Sequence, residues 1–403
     1  MAARAYPLIV CLACAGGVAH AGTLDEAIAA STPLLDARLR YEHVEQPVTA
    51  TRTEDTANAL TARLRAGFET GAAWDTRLLV EGEFVGDWIR DFNSTANGRA
   101  QYPIVADPAA SELNRLQLAN TSLPGTTLTL GRQRINLDDQ RFVGNVGWRQ
   151  NEQTYDAVRL VNTWVPKLTV DLTYMNRVNR VFGEHSVTQL PTFRGDIVLA
   201  NVAWQTPVGK LTAFDYLLDL SNSPANSSAT GGLRFTGQKP AGALKISYTA
   251  SWARQTDHGN NPVDYHATYL FGELGLGHGG LSSTLGFEHL GAGARSFSTP
   301  LATLHKFQGW ADVFLTTPAN GIDDGYVSLG YAAKAGPFDN LNASAAFHDY
   351  HTARGSSSLG HEADLLLSAR LQHVTGTLKY ADYSGPVAAQ DVRKFWLELV
   401  FAW

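Results

Sequence analysis

The chain has 403 residues, a formal charge of −6, 44% hydrophobic residues, 10% aromatics and 37 glycines, and a mean hydropathy of −0.15. The acidic balance argues against nucleic acid as a partner, and no stretch of the mature chain reaches the roughly 20 apolar residues of a membrane helix. Both cysteines, Cys11 and Cys14, fall in the leader-like start, which leaves a processed chain without disulfide, thiol nucleophile or thiolate metal site.

Arg4, the apolar run from Pro7 to Val18 and the small-x-small Ala19-His20-Ala21 read as a secretory signal peptide over residues 1–21, removed on export. The alternative is a lipoprotein signal acylated at Cys14, but Cys11-Leu12-Ala13 lacks the usual aliphatic at its first position. Thr23-Leu24-Asp25-Glu26 has the capping-box form, a hydroxyl followed three residues later by Glu. It predicts a short helix to about Ala30, ended by Pro33. Residues 22–33 are therefore a short periplasmic segment, and 34–403 form one unit, with no linker, low-complexity tract or charge block to divide it.

From residue 34 onward apolar and polar residues alternate, interrupted by Gly, Pro, Asn and Asp clusters. In 34–44, Leu35, Ala37, Leu39 and Tyr41 share one parity and Asp36, Arg38, Arg40 and Glu42 the other. The same two-faced pattern predicts strands at 59–70, 74–86, 112–121, 126–134, 153–163, 167–177, 194–206, 210–220, 228–238, 243–255, 264–275 and 280–290, then at 324–335, 340–351, 361–372, 375–384 and 391–403. Tight turns such as Ser122–Gly125 and Thr206–Gly209 alternate with long polar connections at 45–58, 87–111, 135–152 and 177–193. Counting Trp310–Thr317 as a strand makes the number odd; treating 291–323 as one long loop gives eighteen. The last strand sets Phe395, Leu397, Leu399, Phe401 and Trp403 on one face against Lys394, Trp396 and Glu398 on the other. The pattern predicts an all-β fold: a transmembrane up-and-down antiparallel barrel with short periplasmic turns and long extracellular loops in a Gram-negative outer membrane. Lipid covers its apolar face and water fills its lumen. A closing strand with a terminal aromatic predicts handling by the barrel-assembly machinery.

The lumen parity carries the candidate site. Arg38, Arg40, Arg63, Arg65 and Arg77 lie on three consecutive strands, neighbours about 4.8 Å apart in such a barrel. They predict a basic patch on one lumen wall, selective for anions. Arg115 and Arg159 share that parity. Carboxylates such as Asp36, Glu81, Glu83 and Asp171 share it too, so pairing across the wall is the competing reading. The segment 131–155 holds Arg132, Arg134, Arg141 and Arg149 among Asn, Gln and Asp, with Phe142 and Trp148. That mixture suits a sugar surface; a self-bonded polar surface loop fits it equally. Leu128 and Leu130 set lipid parity, which turns Arg132 outward unless a bulge at Gly131 intervenes. Phe307, Trp310 and Phe314 give loop 291–323 an apolar side to fold into the lumen as a constriction.

Catalytic signatures are poor. Gly275-Leu-Gly-His-Gly-Gly280 is followed by a strand rather than a helix, and His361-Glu362 lacks the second His of a zinc helix. No G-x-S-x-G occurs. His348 and His351 stand near a strand end and read as solvated. No enzyme activity, metal or cofactor is expected.

Thr23-Leu-Asp-Glu, Leu39-Arg-Tyr-Glu42, Leu130-Gly-Arg-Gln-Arg-Ile-Asn136, Arg141-Phe-Val-Gly144, Trp148-Arg-Gln150 and the stretch from Trp310-Ala-Asp to Phe314-Leu-Thr-Thr-Pro318 resemble the bacterial outer-membrane alginate-export porin family. The resemblance implies an eighteen-stranded outer-membrane barrel whose Arg-lined lumen passes an anionic polyuronate. The short turns at 335–340 and 372–374 depart from the long periplasmic plug of the alginate exporter itself. The combined expectation is a monomeric porin for anionic or sugar-like solutes. The alternative is a plugged structural or adhesive barrel.

Overall fold

Side chains along a strand alternate in direction, so a sheet closed on itself sorts this sequence into an outside and an inside. The computed structural model describes residues 22–387 and 390–403; the expected signal peptide lies outside them. A short helix, α1 (Leu24–Ala29), opens the described chain with Thr23 and Glu26 in a reciprocal capping box. The strands that follow are β1 (Thr32–Glu45), β2 (Thr56–Glu69), β3 (Thr76–Asp91), β4 (Ala110–Asn120), β5 (Thr126–Gln133), β6 (Thr154–Asn162), β7 (Leu168–Asn179), β8 (Thr192–Thr206) and β9 (Gly209–Leu220). The second half comprises β10 (Ser228–Ala241), β11 (Leu244–Asp257), β12 (His266–His278), β13 (Leu281–Leu290), β14 (Ile322–Ala335), β15 (Phe338–His351), β16 (Ser358–Leu371), β17 (Val374–Ser384) and β18 (Val392–Ala402).

All neighbours in sequence pair antiparallel, and β1 pairs with both β2 and β18, closing one eighteen-stranded barrel without a free edge. Leu39 of β1 sits between Leu399 of β18 and Ala62 of β2, so apolar rows run unbroken across the seam. Large apolar side chains such as Leu39, Phe84, Leu130, Trp252, Leu285 and Leu397 are exposed. A belt of that kind all round a barrel requires lipid as its solvent. No described helix is long and apolar enough to cross a membrane.

Most expected boundaries move by one to three residues, and two of the differences bear on the loops. β3 runs to Asp91 rather than 86, because an extra residue opposite Leu60 and Thr61 breaks the parity that the sequence reading followed. The loop after it is therefore 92–109 instead of 87–111. The long loop 291–321 ends where β14 begins, and Trp310–Thr317 is not a strand. Among the tight turns, Gly125 adopts φ +62 with Trp164 backbone packed against the space a Cβ would take, so a side chain there meets both strain and contact.

The buried apolar core lies inside the cylinder. Its larger cluster joins Ile135, Leu137 and Val143 with Phe297, Leu301 and Trp310 from two loops to Phe214, Tyr216 and Tyr269 on the inner wall. A smaller one joins Phe92 and Val105 to Val44, Ala57 and Ala59.

Candidate functional site

Three extracellular connections fold into the lumen, and their own polar side chains make this possible. A loop with no ladder partner must satisfy its backbone in some other way. In loop 134–153, Gln153 Nε2 donates to the carbonyls of Gly144 and Leu301, both at 3.0 Å. Tyr155 donates its hydroxyl to Gly144 at 2.8 Å. The buried Glu152 accepts from Asn114 at 2.7 Å, from Asn145 at 2.6 Å and from Arg134. Loop 291–321 adds a parallel bridge between Val143 and Leu301, and Thr303 Oγ1 accepts the Val146 amide at 3.0 Å. The third loop, 92–109, covers the outer end of the β1–β2 wall and sends the buried Asp107 to the Gln150 amide at 2.8 Å. The polar residues of 131–155 are thus largely the internal scaffold of an inserted loop.

The expected basic patch is present but covered. Arg38 donates to three successive carbonyls of the inserted loop, those of Gly147, Trp148 and Arg149, at 3.0–3.1 Å. Arg40 is fully buried between Glu398 and Asp107, with its guanidinium 4.0 Å over the Trp148 ring. Arg63 pairs with Asp36, and Arg65 pairs with Glu83 and approaches Glu152 at 3.6 Å. Arg38, Arg40 and Arg65 hold down loop 134–153, Arg63 is buried on Asp36 beside them, and none of the four faces an open pore. Arg77 is not part of the cluster. It lies at the other end of β3, exposed, about 20 Å below Arg65's neighbour Glu83 at six residues of strand rise. Parity places a side chain inside but says nothing of its height.

The remaining candidates divide. Arg115 pairs with Glu81 at 2.8 Å and Arg159 with Asp171, both on the lumen wall and partly exposed. Arg134 reaches Glu152 inside the barrel. Arg132 faces outward, where it pairs with Asp156 at 2.7 Å and donates to the Leu113 carbonyl. Gly131 has φ +113, yet the chain turns inward only after Gln133; Arg132 is therefore no pore residue. Arg141 and Arg149 are buried inside the plug-like loop pair: Arg141 on Glu288 at 2.6 Å, Arg149 on Asp312 at 3.1 Å and Glu42 at 3.3 Å.

The aromatic faces expected for sugar stacking are occupied by protein. Phe142 packs among Phe214, Tyr216, Tyr269 and Phe297. Trp148 lies between His305, Arg40 and Lys379. Trp310 and Phe314 are buried against the wall, Phe314 on Tyr350 and Tyr383, while Phe307 remains partly exposed under Arg141. His348 is buried against Asp324 at 3.0 Å rather than solvated; His351 is partly exposed.

Sequence reading did not single out His305, Asp312, Lys379 or Glu273. His305 and Asp312 sit in an aperiodic loop that offers no parity signal. Lys379 and Glu273 had inward parity, but so do many charged residues of a barrel. Burial holds the His305 imidazole well below its usual range, against the pull of Asp312. Burial alone would raise Asp312, but His305, Lys394 and Arg149 together hold it well below the carboxylate range. His289 pairs with Asp323 at 2.6 Å on the outer face without a serine bonded to it, so this pair is not part of a nucleophile triad.

The alginate export family model matches residues 35–263, more than half of the chain. No curated protein matches. Solved structures match along nearly the full length. They include Pseudomonas aeruginosa OccK9 (OpdG), with 17% identity, TM-score 0.71 and coverage of 93% of this chain and 99% of that one. The BenF-like porin of Pseudomonas fluorescens Pf-5 has 11% identity, TM-score 0.71 and coverage of 93% and 98%. Acinetobacter baumannii OccAB3 has 12% identity, TM-score 0.69 and coverage of 93% and 100%. At these identities the likeness establishes the fold.

Proposed function

This chain belongs to the alginate export family, and from that premise we propose that it is an outer-membrane diffusion channel for small anionic or sugar-like solutes, narrowed by loops 134–153 and 291–321. The observation that carries the solute class is a track of ion pairs round the lumen whose cationic side chains stay 10–40% exposed. It comprises Arg115–Glu81, Arg134–Glu152, Arg159–Asp171, Lys210–Asp138 and Arg234–Asp139. Such pairs present N–H donors, and at Asp171, Asp138 and Asp139 carboxylate acceptors, to passing hydroxyl and carboxylate groups. Each cation already has a partner, so its hold on a solute is weak enough for release. One neighbour, Pseudomonas aeruginosa OpdK, has been solved with vanillate, a small aromatic carboxylate in line with this class.

The channel works by diffusion, without covalent chemistry, as a monomer. Residues 1–21 direct export and are removed, and the strand ending at Trp403 is the handle for the barrel-assembly machinery. A plugged structural or adhesive barrel is not favoured, since the family and the structural neighbours are porins. Liposome swelling tests the reading. Proteoliposomes are expected to swell faster in glucuronate than in glucose. No swelling in either, or faster swelling in glucose, rejects it.

A further inference from the structure

Beneath the tip of loop 291–321 the lumen keeps a cavity of about 410 Å³, within the range of small-molecule sites. Its lining is rich in charge, with Asp138 and Asp139 beside the cations and His348 beside the acids. Lys210 of β9, Arg234 of β10 and Lys306 of the loop stand to one side; Glu273 of β12, Glu288 of β13 and Asp324 of β14 stand to the other. β11 runs between the two groups of strands and presents the short Ser251 inward beside Arg234.

Most of these charges have ionic partners. Lys210 holds Asp138 at 2.9 Å, Arg234 holds Asp139 at 2.8 Å, Glu288 holds Arg141 at 2.6 Å and Asp324 holds His348 at 3.0 Å. Two charges differ. Lys306 Nζ donates only to the Asp139 carbonyl, at 2.8 Å. Glu273 accepts only the Tyr326 hydroxyl, at 2.6 Å. Among the described residues neither takes part in an ion pair.

Glu273 is nevertheless held firmly. Glu273 of β12, Gly286 of β13, Tyr326 of β14 and His348 of β15 form one register row. The Tyr326 phenol crosses β13 over Gly286 to reach the carboxylate, and a Cβ at 286 would occupy the place of its ring. His348 stacks on the other side of Tyr326, centroids 5.1 Å apart. A carboxylate fixed by a phenol laid across a glycine has its position set but no ion-pair partner among the described residues, and the cation whose field reaches it is Lys306. Lys306 is its counterpart on the basic side. Phe271, Phe307 and Trp310 line the space that both share.

We propose that this cavity binds a small zwitterion that carries one ammonium, one carboxylate and an aromatic or apolar body. The ammonium meets Glu273, the carboxylate meets Lys306, and the body lies against Phe271, Phe307 and Trp310. Two charge-assisted contacts of opposite sign reject a solute with only one of the charges, because the unmatched protein group is desolvated without return. The site rests on the channel reading, since the ligand arrives through the lumen.

Isothermal titration calorimetry on the detergent-folded barrel tests this with three probes: phenylalanine, 3-phenylpropionate and phenethylamine. Phenylalanine is expected to bind at least tenfold more tightly than either singly charged analogue. Glu273→Gln should abolish the preference over 3-phenylpropionate, and Lys306→Gln the preference over phenethylamine. Gly286→Ala should weaken phenylalanine as Glu273→Gln does, and heat-modifiable migration on gels checks that each variant is folded. Absence of binding by phenylalanine, equal binding of the three probes, or indifference to Glu273→Gln and Lys306→Gln overturns the proposal. Swelling in glucuronate alongside any of those results would leave the channel standing and remove only the zwitterion site.

Discussion

The His305 imidazole lies flat on the Trp148 indole, with ring centroids 4.2 Å apart and planes 5° from parallel. The two residues belong to different inserted loops, and the wall strands meet them at this point. His305 Nε2 is 2.8 Å from Lys379 Nζ, and Nδ1 is 2.7 Å from Asp312. The Asp312 carboxylate can only accept, so Nδ1 carries the proton and Nε2 faces Lys379 as an acceptor. Lys379 is in turn 3.9 Å from the centroids of both Trp148 and Trp310. Asp312 also accepts from Arg149 at 3.1 Å and Lys394 at 2.9 Å. Loops 134–153 and 291–321 are thus fastened to each other and to β17 and β18 through one buried junction.

Removing the indole should free both loops while sparing the wall. Trp148→Ala deletes the stack and the cation–π contacts of Arg40 and Lys379, at a local cost of about 3–5 kcal/mol. The strand ladders do not depend on it. The variant is expected to keep its β-rich circular dichroism, to show severalfold higher single-channel conductance and to become cleavable by trypsin at Lys306. Unaltered conductance would mean that the loops do not limit the current.

Acid should loosen the same junction. In a free loop His305 titrates near about 6.5, but burial holds it well below that when docked. As pH falls through about 6.5 the released loop takes up a proton that the docked loop refuses, so docking weakens with acidification. Asp312 is held low when docked and titrates only near about 4 when free, so it adds nothing to the response above about pH 5. Conductance is expected to rise from pH 7.5 to pH 5. In His305→Asn the amide can still donate to Asp312 but does not titrate, and the response should disappear.

Charge reversal distinguishes buried from free arginines. Arg40→Glu or Arg65→Glu leaves Glu398 or Glu83 facing a like charge inside the barrel, where breaking a buried pair costs about 3–5 kcal/mol. Loss of loop order or of folding yield is expected, with no clean change in selectivity. Arg77→Glu, at the exposed mouth, should fold normally and shift the reversal potential toward cations in a salt gradient. The opposite pattern would return the Arg40 cluster to the pore.

Arg132 supplies a control. Because it points outward onto Asp156, Arg132→Gln is expected to leave conductance and ion selectivity unchanged in planar bilayers. A changed selectivity would place its side chain in the lumen after all.

The fold was legible in the chain because a barrel wall is written locally. Leu39, Leu64 and Phe84 alternate with Arg40, Arg65 and Glu83, and the period of two is visible without knowing any partner. Turn lengths then supplied the parity that made the count eighteen. The site was legible only in part. The arginines Arg38, Arg40, Arg63 and Arg65 were placed on the correct face and near one another, but as an open patch. Loops 92–109, 134–153 and 291–321 bring Asp107, backbone carbonyls with Glu152, and Asp312 onto or beside that patch from more than forty residues away in sequence. Aperiodic loops carry no register, so nothing in their order announces where they dock. The sequence by itself determined which side of the wall each strand residue faces, since that follows from chain geometry alone. Tertiary structure decided which inward charges are neutralised and which, like Glu273 and Lys306, remain unpaired, because pairing depends on distances between segments that only the closed barrel brings together.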